Sequence, residues 1–184
     1  MTQKKDPIKT YDARWEVSEF DDQEVQRLIE ATLGYAQIIG VDTLVFARDA
    51  RLGCARVMEM GIKVAMDAGF RVFACFDPIS TPLSYFVAMQ TSVNFPNTMG
   101  LTITASHNPK QYVGIKYTVP TVEAIGYDCG PLGGLKKIKE LYHQNDFVLK
   151  NSAGGSLTIL KNPVDAYIDY TFQLAGVKAG ESSC

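Results

Sequence analysis

Several features that mark particular protein classes are missing from this sequence of 184 residues. No run approaches the roughly 18 consecutive apolar residues of a membrane-spanning helix, and the polar segment at residues 1–7 lacks the apolar stretch of a secretory signal. Acidic and basic residues nearly balance, 20 against 18, for a formal net charge of −2, which excludes a protein that binds nucleic acid through its charge. We therefore expect a cytoplasmic protein with neither nucleic acid nor a membrane among its partners.

Side chains that bind zinc or form disulfides are also few. The two histidines, His107 and His143, have no cysteine or histidine at ligand spacing, which argues against a structural zinc site. The four cysteines are widely separated and form no C-x-x-C pair. We expect reduced thiols, with Cys54 and Cys75 as small core residues.

What the sequence does contain is a regular alternation of strand and helix patterns within a chain that is 46% hydrophobic. A short β-rich run at 43–47, an amphipathic stretch from Cys54 to about Gly69 and a second run at 71–76 form a β-α-β unit. Similar patterns predict helices at 22–40, 82–90 and 133–143, and strands at 100–105 and 112–119. Thr81 is the predicted N-cap of the helix at 82–90. The alternation predicts an α/β fold, a three-layer α/β/α sandwich around a mixed, mostly parallel sheet.

The composition changes near residue 151, where Ser-Ala-Gly-Gly precedes a short apolar run at 157–160 and a helix that opens at Pro163. The residues after this point are too few to form a core of their own. We predict one α/β/α domain over residues 1–150, and a linker with the first helix of a truncated second domain over 151–184.

Three loops follow predicted strands, at 48–51, 77–82 and 104–109. Ligands of open α/β sheets bind where such loops converge, outside the carboxyl ends of the strands. The first and third of these loops carry two arginines, a serine and a histidine, and the planar guanidinium of arginine suits phosphate oxygens. The arrangement favours a phosphorylated ligand or intermediate.

The role of Ser106 has alternatives at this point. A serine hydrolase is disfavoured because the sequence has no G-x-S-x-G elbow and because the adjacent His107 would point away from the serine hydroxyl. The alternative that Ser106 belongs to a Ser-x-Asn-Pro turn that only closes a β-hairpin remains.

The segment Thr-Ala-Ser-His-Asn-Pro at 104–109, followed by Tyr-x-Gly-Ile-Lys at 112–116, resembles the active-site serine signature of the α-D-phosphohexomutases, the phosphoglucomutase/phosphomannomutase family. Other motifs of that family follow in order: Tyr-Asp-Ala-Arg at 11–14, Arg-Asp-x-Arg at 48–51 and Thr-Pro-Leu at 81–83. Together they span roughly the first 150 residues. The resemblance implies the N-terminal domain, domain I, of such an enzyme.

In that family a phosphoserine gives its phosphoryl group to a hexose monophosphate, the bisphosphate reorients, and the other phosphate returns to the serine. Hexose 1-phosphate and hexose 6-phosphate thereby interconvert. Carried over by position, Ser106 is the phosphorylated residue, and Lys116 neutralises phosphate charge or manages the hydroxyl proton. The resemblance also implies phosphate contacts from Arg14 and His107, and from the flanking residues Arg48, Arg51 and Asn108. Arg48 could equally form an ion pair with Asp49.

Mg²⁺ is the cofactor that the resemblance implies, with a Ser106 phosphoryl oxygen as one ligand and an Asp-Gly-Asp-x-Asp-Arg loop of the second domain as the others. That loop is absent from the sequence, as are the Gly-Glu-x-Ser-Gly sugar loop and the Ser-Gly-Thr-Glu-Pro phosphate loop. We expect a chain without domains II–IV that binds the metal weakly, is inactive alone and tends to self-associate. The alternative is a naturally short, non-catalytic module that binds phosphosugars or a protein partner.

Overall fold

The computed structural model describes residues 6–144, 148–149 and 154–176, which build one layered α/β unit. Its strands are β1 (Ala13–Glu16), β2 (Thr43–Arg48), β3 (Arg71–Ala74), β4 (Thr98–Ile103), β5 (Tyr112–Val119), β6 (Glu123–Ala124) and β7 (Ser156–Ile159). Its α-helices are α1 (Asp22–Ile38), α2 (Cys54–Asp67), α3 (Thr81–Asn94), α4 (Leu135–His143) and α5 (Pro163–Leu174). Among the described residues, no helix is both long enough and apolar enough to cross a bilayer.

All seven strands belong to one mixed sheet. Its order is β1-β5-β4-β2-β3-β7, with β6 paired to β5 beside this path. Four strands form the parallel part of the sheet, in the order β4-β2-β3-β7. Strand β5 is antiparallel to each of its partners β1, β4 and β6. The predicted mixed sheet is confirmed.

Helices cover both faces of the sheet, as β2 shows most clearly. Leu44 and Phe46 of this strand belong to a core with α1, α2 and α4, while the alternate residues Val45 and Ala47 face α3 and α5. The strand is therefore buried on both sides, which explains its continuous apolar run. The predicted three-layer α/β/α sandwich is confirmed.

Local sequence signals set the helix starts. The Asp21 side chain accepts a hydrogen bond of 2.9 Å from the Glu24 N–H and so caps α1. The N-cap of α3 is Ser80, not the predicted Thr81, and Pro82 lies in the first turn. The error is one residue, because both hydroxyl residues precede the proline and either could fill the cap.

The cysteines of the described residues are reduced. Cys54 and Cys75 are buried, as predicted for small core residues, and Cys129 is exposed. Cys184 lies outside the described residues.

The last two elements pack on the same sheet as the rest. Strand β7 pairs with β3 in parallel, and the Tyr167 and Tyr170 rings of α5 lie 5.3 and 5.2 Å from the Phe86 ring of α3. All four residues of β7 are exposed, and no residue of α5 is fully buried. The division into a domain over 1–150 and a second domain from 151 stays a prediction, and part of the predicted linker, residues 151–153, lies outside the described residues.

Candidate functional site

The candidate site is built around the turn that follows β4. Ser106 has φ +54°, in the left-handed region, and its side chain is exposed. The Asn108 backbone N–H and side-chain amide both donate to the Ala105 carbonyl, at 3.1 and 2.8 Å, and close the turn. A non-glycine residue in this region costs about 1–2 kcal/mol, so the surrounding contacts must hold it there.

The main chain of Ser106 is held on both sides. Its N–H donates to Thr104 Oγ1 at 3.0 Å, and its carbonyl accepts a hydrogen bond from the Arg51 guanidinium. The hydroxyl is thus presented to solvent on a turn whose backbone is fixed.

Arg51 acts on this turn through its backbone. Its guanidinium also donates to the carbonyls of Asn108 (2.7 Å) and Pro109 (2.9 Å), and its Nε lies 3.2 Å from Asp49 Oδ2. The resemblance implies a phosphate contact for Arg51, and the structure gives most of its N–H groups to the serine turn instead.

Arg48 ends β2 next to this cluster. Its Nη1 donates to the Asp49 carbonyl at 3.1 Å, whereas the Asp49 carboxylate pairs with Arg51. Arg48 thus contacts Asp49 through the carbonyl of that residue, and the ion pair of the Asp49 carboxylate is with Arg51.

A second cluster of charges lies on the strands beside the turn. The Asp12 carboxylate, only 1% exposed, contacts Arg14 Nη2 at 2.8 and 3.0 Å and lies 3.6 Å from Lys116 Nζ. Arg14 pairs with Gly114 in the β1–β5 register. Residues opposite each other in an antiparallel pair share a face, so Arg14 and Lys116 both lie on the side of the sheet that α3 covers.

The two clusters are joined through Gly114. Its carbonyl accepts the Thr104 N–H at 2.9 Å, which ties the start of the serine turn to β5. A Cβ at position 114 would overlap the Ala13 carbonyl oxygen and lie 2.9 Å from the Thr104 oxygen. Arg14 and Asn108 also line one pocket of about 380 Å³. One residue of each cluster thus borders the same pocket.

Two further groups complete the surroundings. His107 is exposed on the serine turn, and its ring makes no hydrogen bond within the described part of the chain. In the first half of α3, burial raises the pKa of Tyr85, and the neighbouring Asp12 carboxylate adds to the effect. Sequence reasoning missed Tyr85 altogether, while Asp12, Asp49 and Thr104 stood inside the quoted motifs without an assigned role.

Comparison with known proteins identifies the family. The sequence pattern described as "Phosphoglucomutase/phosphomannomutase, alpha/beta/alpha domain I" matches residues 5–129, more than half of the chain. The chain belongs to the phosphoglucomutase/phosphomannomutase family. A phosphomannomutase of Escherichia coli is 28% identical over 171 residues, which are 93% of this chain and 35% of that protein. A phosphoglucomutase of Neisseria meningitidis is 34% identical over 113 residues, 61% of this chain and 24% of that protein.

A solved structure of a phosphoglucomutase/phosphomannomutase family protein from Burkholderia thailandensis matches with a TM-score of 0.69 and 26% sequence identity. The match covers 89% of this chain and 34% of that one. The chain thus spans about a third of the length of the phosphohexomutases it matches.

The side chains present do not by themselves fit the Mg²⁺ that this family implies. Within the described ranges, no three His, Cys, Asp or Glu residues form a group that could hold a metal ion. Two carboxylates of the candidate site are already engaged, Asp49 by Arg51 and Asp12 by Arg14 and Lys116. A hard cation needs about six oxygen ligands, and a phosphoryl group on Ser106 would supply few of them.

Proposed function

We propose that the chain is the N-terminal, phosphoserine-bearing part of a phosphohexomutase that interconverts hexose 1-phosphate and hexose 6-phosphate, with Ser106 as the phosphoryl carrier. One observation carries the proposal: the exposed Ser106 hydroxyl projects from a turn with a fixed backbone, beside strands that hold Arg14 and Lys116 around a buried carboxylate. Phosphoryl transfer asks the protein mainly for positioning and for neutralisation of charge.

In the forward half-reaction the bond between Ser106 Oγ and phosphorus breaks. A new bond forms between phosphorus and a hydroxyl oxygen of the hexose monophosphate, and the proton of that hydroxyl passes to Ser106 Oγ. The return step reverses these changes with the other phosphate of the bisphosphate. Lys116, whose ammonium is paired with Asp12, is suited to neutralising phosphate charge, and Arg14 would donate to the phosphate oxygens. His107 and Asn108 would contribute hydrogen bonds from the turn.

The partners that this function requires are a hexose monophosphate and bisphosphate, and the two thirds of the relatives' length that this chain does not match. We assign the sugar contacts and the carboxylate ligands of Mg²⁺ to those parts. A cytoplasmic location stays a prediction.

Phosphoryl uptake tests the assignment of Ser106. The chain replaces the segment that it matches in the Escherichia coli phosphomannomutase, so that the rest of that protein would provide the sugar contacts and metal ligands, and this fusion is the parent chain for phosphoryl uptake. It is incubated with glucose 1,6-bisphosphate and Mg²⁺, and the product is read by intact mass and peptide mapping. We expect one phosphoryl group, on the peptide that contains Ser106, and none in the Ser106→Ala variant. The control variant Ser156→Ala changes an exposed serine of β7 and should be labelled like the parent chain. Absence of label in the parent chain, or label that persists in Ser106→Ala, would contradict the proposal.

A second measurement concerns turnover. We expect the 184-residue chain alone to convert no glucose 1-phosphate to glucose 6-phosphate in a coupled assay, because its sequence contains none of the family's sugar-binding and metal-binding loops. Sustained conversion by this chain would refute the assignment of those functions to other parts of a longer enzyme.

A further inference from the structure

The Asp49 carboxylate receives four donors at the base of the serine turn. Its Oδ1 accepts from the Arg51 backbone N–H at 2.9 Å and from Cys54 Sγ at 3.2 Å. Its Oδ2 accepts from Thr104 Oγ1 at 2.6 Å and lies 3.2 Å from Arg51 Nε.

The groups held by Asp49 are the same groups that hold Ser106. The Thr104 hydroxyl donates its hydrogen bond to Asp49, so its oxygen is left to accept the Ser106 N–H. Arg51, paired with Asp49, donates to the Ser106 carbonyl. One carboxylate therefore orients both hydrogen bonds on the main chain of the residue with φ +54°.

We propose that Asp49 is a positioning residue for phosphoryl transfer: through Thr104 and Arg51 it keeps Ser106 in the left-handed conformation, so that the hydroxyl projects toward the incoming phosphoryl group. The inference rests on the proposed function of Ser106. A residue in a sparsely populated conformation persists only where its surroundings over-determine it, and Asp49 links the two contacts that do so. Without Asp49 the turn relaxes and the hydroxyl moves away from its line of attack.

The first readout needs no phosphoryl transfer. Hydrogen exchange of the Ser106 amide reports its bond to Thr104 Oγ1. We expect exchange to become roughly tenfold faster in Thr104→Val, which keeps the shape and removes the hydroxyl, and in Asp49→Asn. Thr104→Ser restores the hydroxyl and should restore the protection. Unchanged exchange in Thr104→Val would overturn the inference even if Asp49→Asn fails to fold.

The second readout is the rate of phosphoryl uptake at Ser106 from glucose 1,6-bisphosphate, measured beside thermal unfolding. We expect Thr104→Val and Asp49→Asn to lower the rate about 100-fold, the scale that a displacement of about 1 Å costs, while the chain stays folded at the assay temperature. Thr104→Ser should recover most of the rate. Asp67→Asn, at an exposed carboxylate that ends α2, is the control and should keep the parent rate.

The two readouts separate the two proposals. If the parent chain takes up no phosphoryl group but the exchange results are as expected, the proposed function of Ser106 is wrong. The conclusion that Asp49 fixes the conformation of the turn is then unaffected. If the parent chain is labelled and Thr104→Val reacts at the parent rate, the positioning role of Asp49 is wrong and the function of Ser106 stands.

Discussion

At this site the backbone conformation of single residues matters as much as the chemistry of their side chains. The motif alone predicts Ser106 as the functional residue, because its residue types resemble the serine signature of the family, and this role stays a proposal. The sequence does not predict the left-handed conformation of Ser106, which is held by the bond that the Ser106 N–H donates to Thr104 and by the bond that Arg51 donates to the Ser106 carbonyl. Arg51 lies 55 positions away in sequence. The contacts of Arg51 were likewise not predictable. A guanidinium suits phosphate oxygens, but the folded turn places backbone carbonyls around this one.

Another residue whose charge matters is Asp6, at the start of the described chain. Burial by itself raises the pKa of Asp6, but contacts from Lys139 at 2.8 Å, the Ile8 N–H and His143 outweigh it, and the net pKa is lowered from 3.8. A lowered pKa in the folded state adds stability above the unfolded-state value, and this contribution is lost as pH falls through the folded-state pKa.

We therefore expect Asp6→Asn to lower the free energy of unfolding near neutral pH by about 0.5 kcal/mol, the scale of a partly exposed ion pair. Well below pH 3.8, where the parent carboxyl is protonated too, the difference should vanish. Urea unfolding of both proteins across this pH range provides the measurement. A difference that persists or grows in acid would show that the Asp6 contacts do not act through its charge.

At the scale of elements, the apolar and alternating segments were predictable, including the four-residue strand β3, whereas the strands β1 and β6 were not. Strands β2 and β5 match their predicted ranges within one residue because burial sets their pattern. Strand β1 was missed: it has four residues and alternates buried with half-buried positions, and its pairing with β5 is a tertiary contact. This missed strand is the one that carries Arg14 to the site.

The close approach of β1 and β5 depends on Gly114. Gly114→Ala should destabilise the protein by about 2–3 kcal/mol, because the added methyl meets two backbone oxygens that cannot move independently. Gly40→Ala is a matched comparison: its φ is +79° and no atom lies within 4 Å of the added carbon, so we expect only a conformational cost of about 1 kcal/mol. Urea unfolding of both variants checks the order, and an equal loss would show that packing at Gly114 is not tight.

The elements β7 and α5 test the predicted domain division. A chain shortened to residues 1–153 should stay folded, with cooperative unfolding and a Tm lower by roughly 5 °C, because both cores draw their buried residues from earlier elements. The Tm falls mainly because Phe86 loses its contacts with the Tyr167 and Tyr170 rings. Loss of the near-UV circular dichroism signal in the shortened chain would place β7 and α5 within the first domain.

At the scale of the whole molecule, the exposed apolar surface concentrates on those same two elements. Val164, Ile168 and Phe172 recur at helical spacing along α5, each more than 40% exposed. Leu157 and Ile159 of β7 are exposed as well. Monomeric proteins rarely leave such contiguous patches uncovered.

We expect the chain to self-associate as its concentration rises, which light scattering or sedimentation measures directly. Phe172→Lys should reduce the association, whereas Val93→Lys, at an equally apolar and more exposed position of α3, should leave it unchanged. A strictly monomeric parent chain at high concentration would contradict this expectation.

The serine turn has a consequence for the way a complete enzyme would cycle. Its backbone is held by Thr104, Arg51 and Asp49, which all lie just after the carboxyl ends of the strands β2 and β4 of one sheet. Ser106, the proposed phosphoryl carrier, would therefore keep its geometry whether or not a neighbouring domain closed over it. An enzyme built around such a turn could swing open to let the bisphosphate turn over or to release product, and close again, with no need to rebuild its attacking group at each cycle.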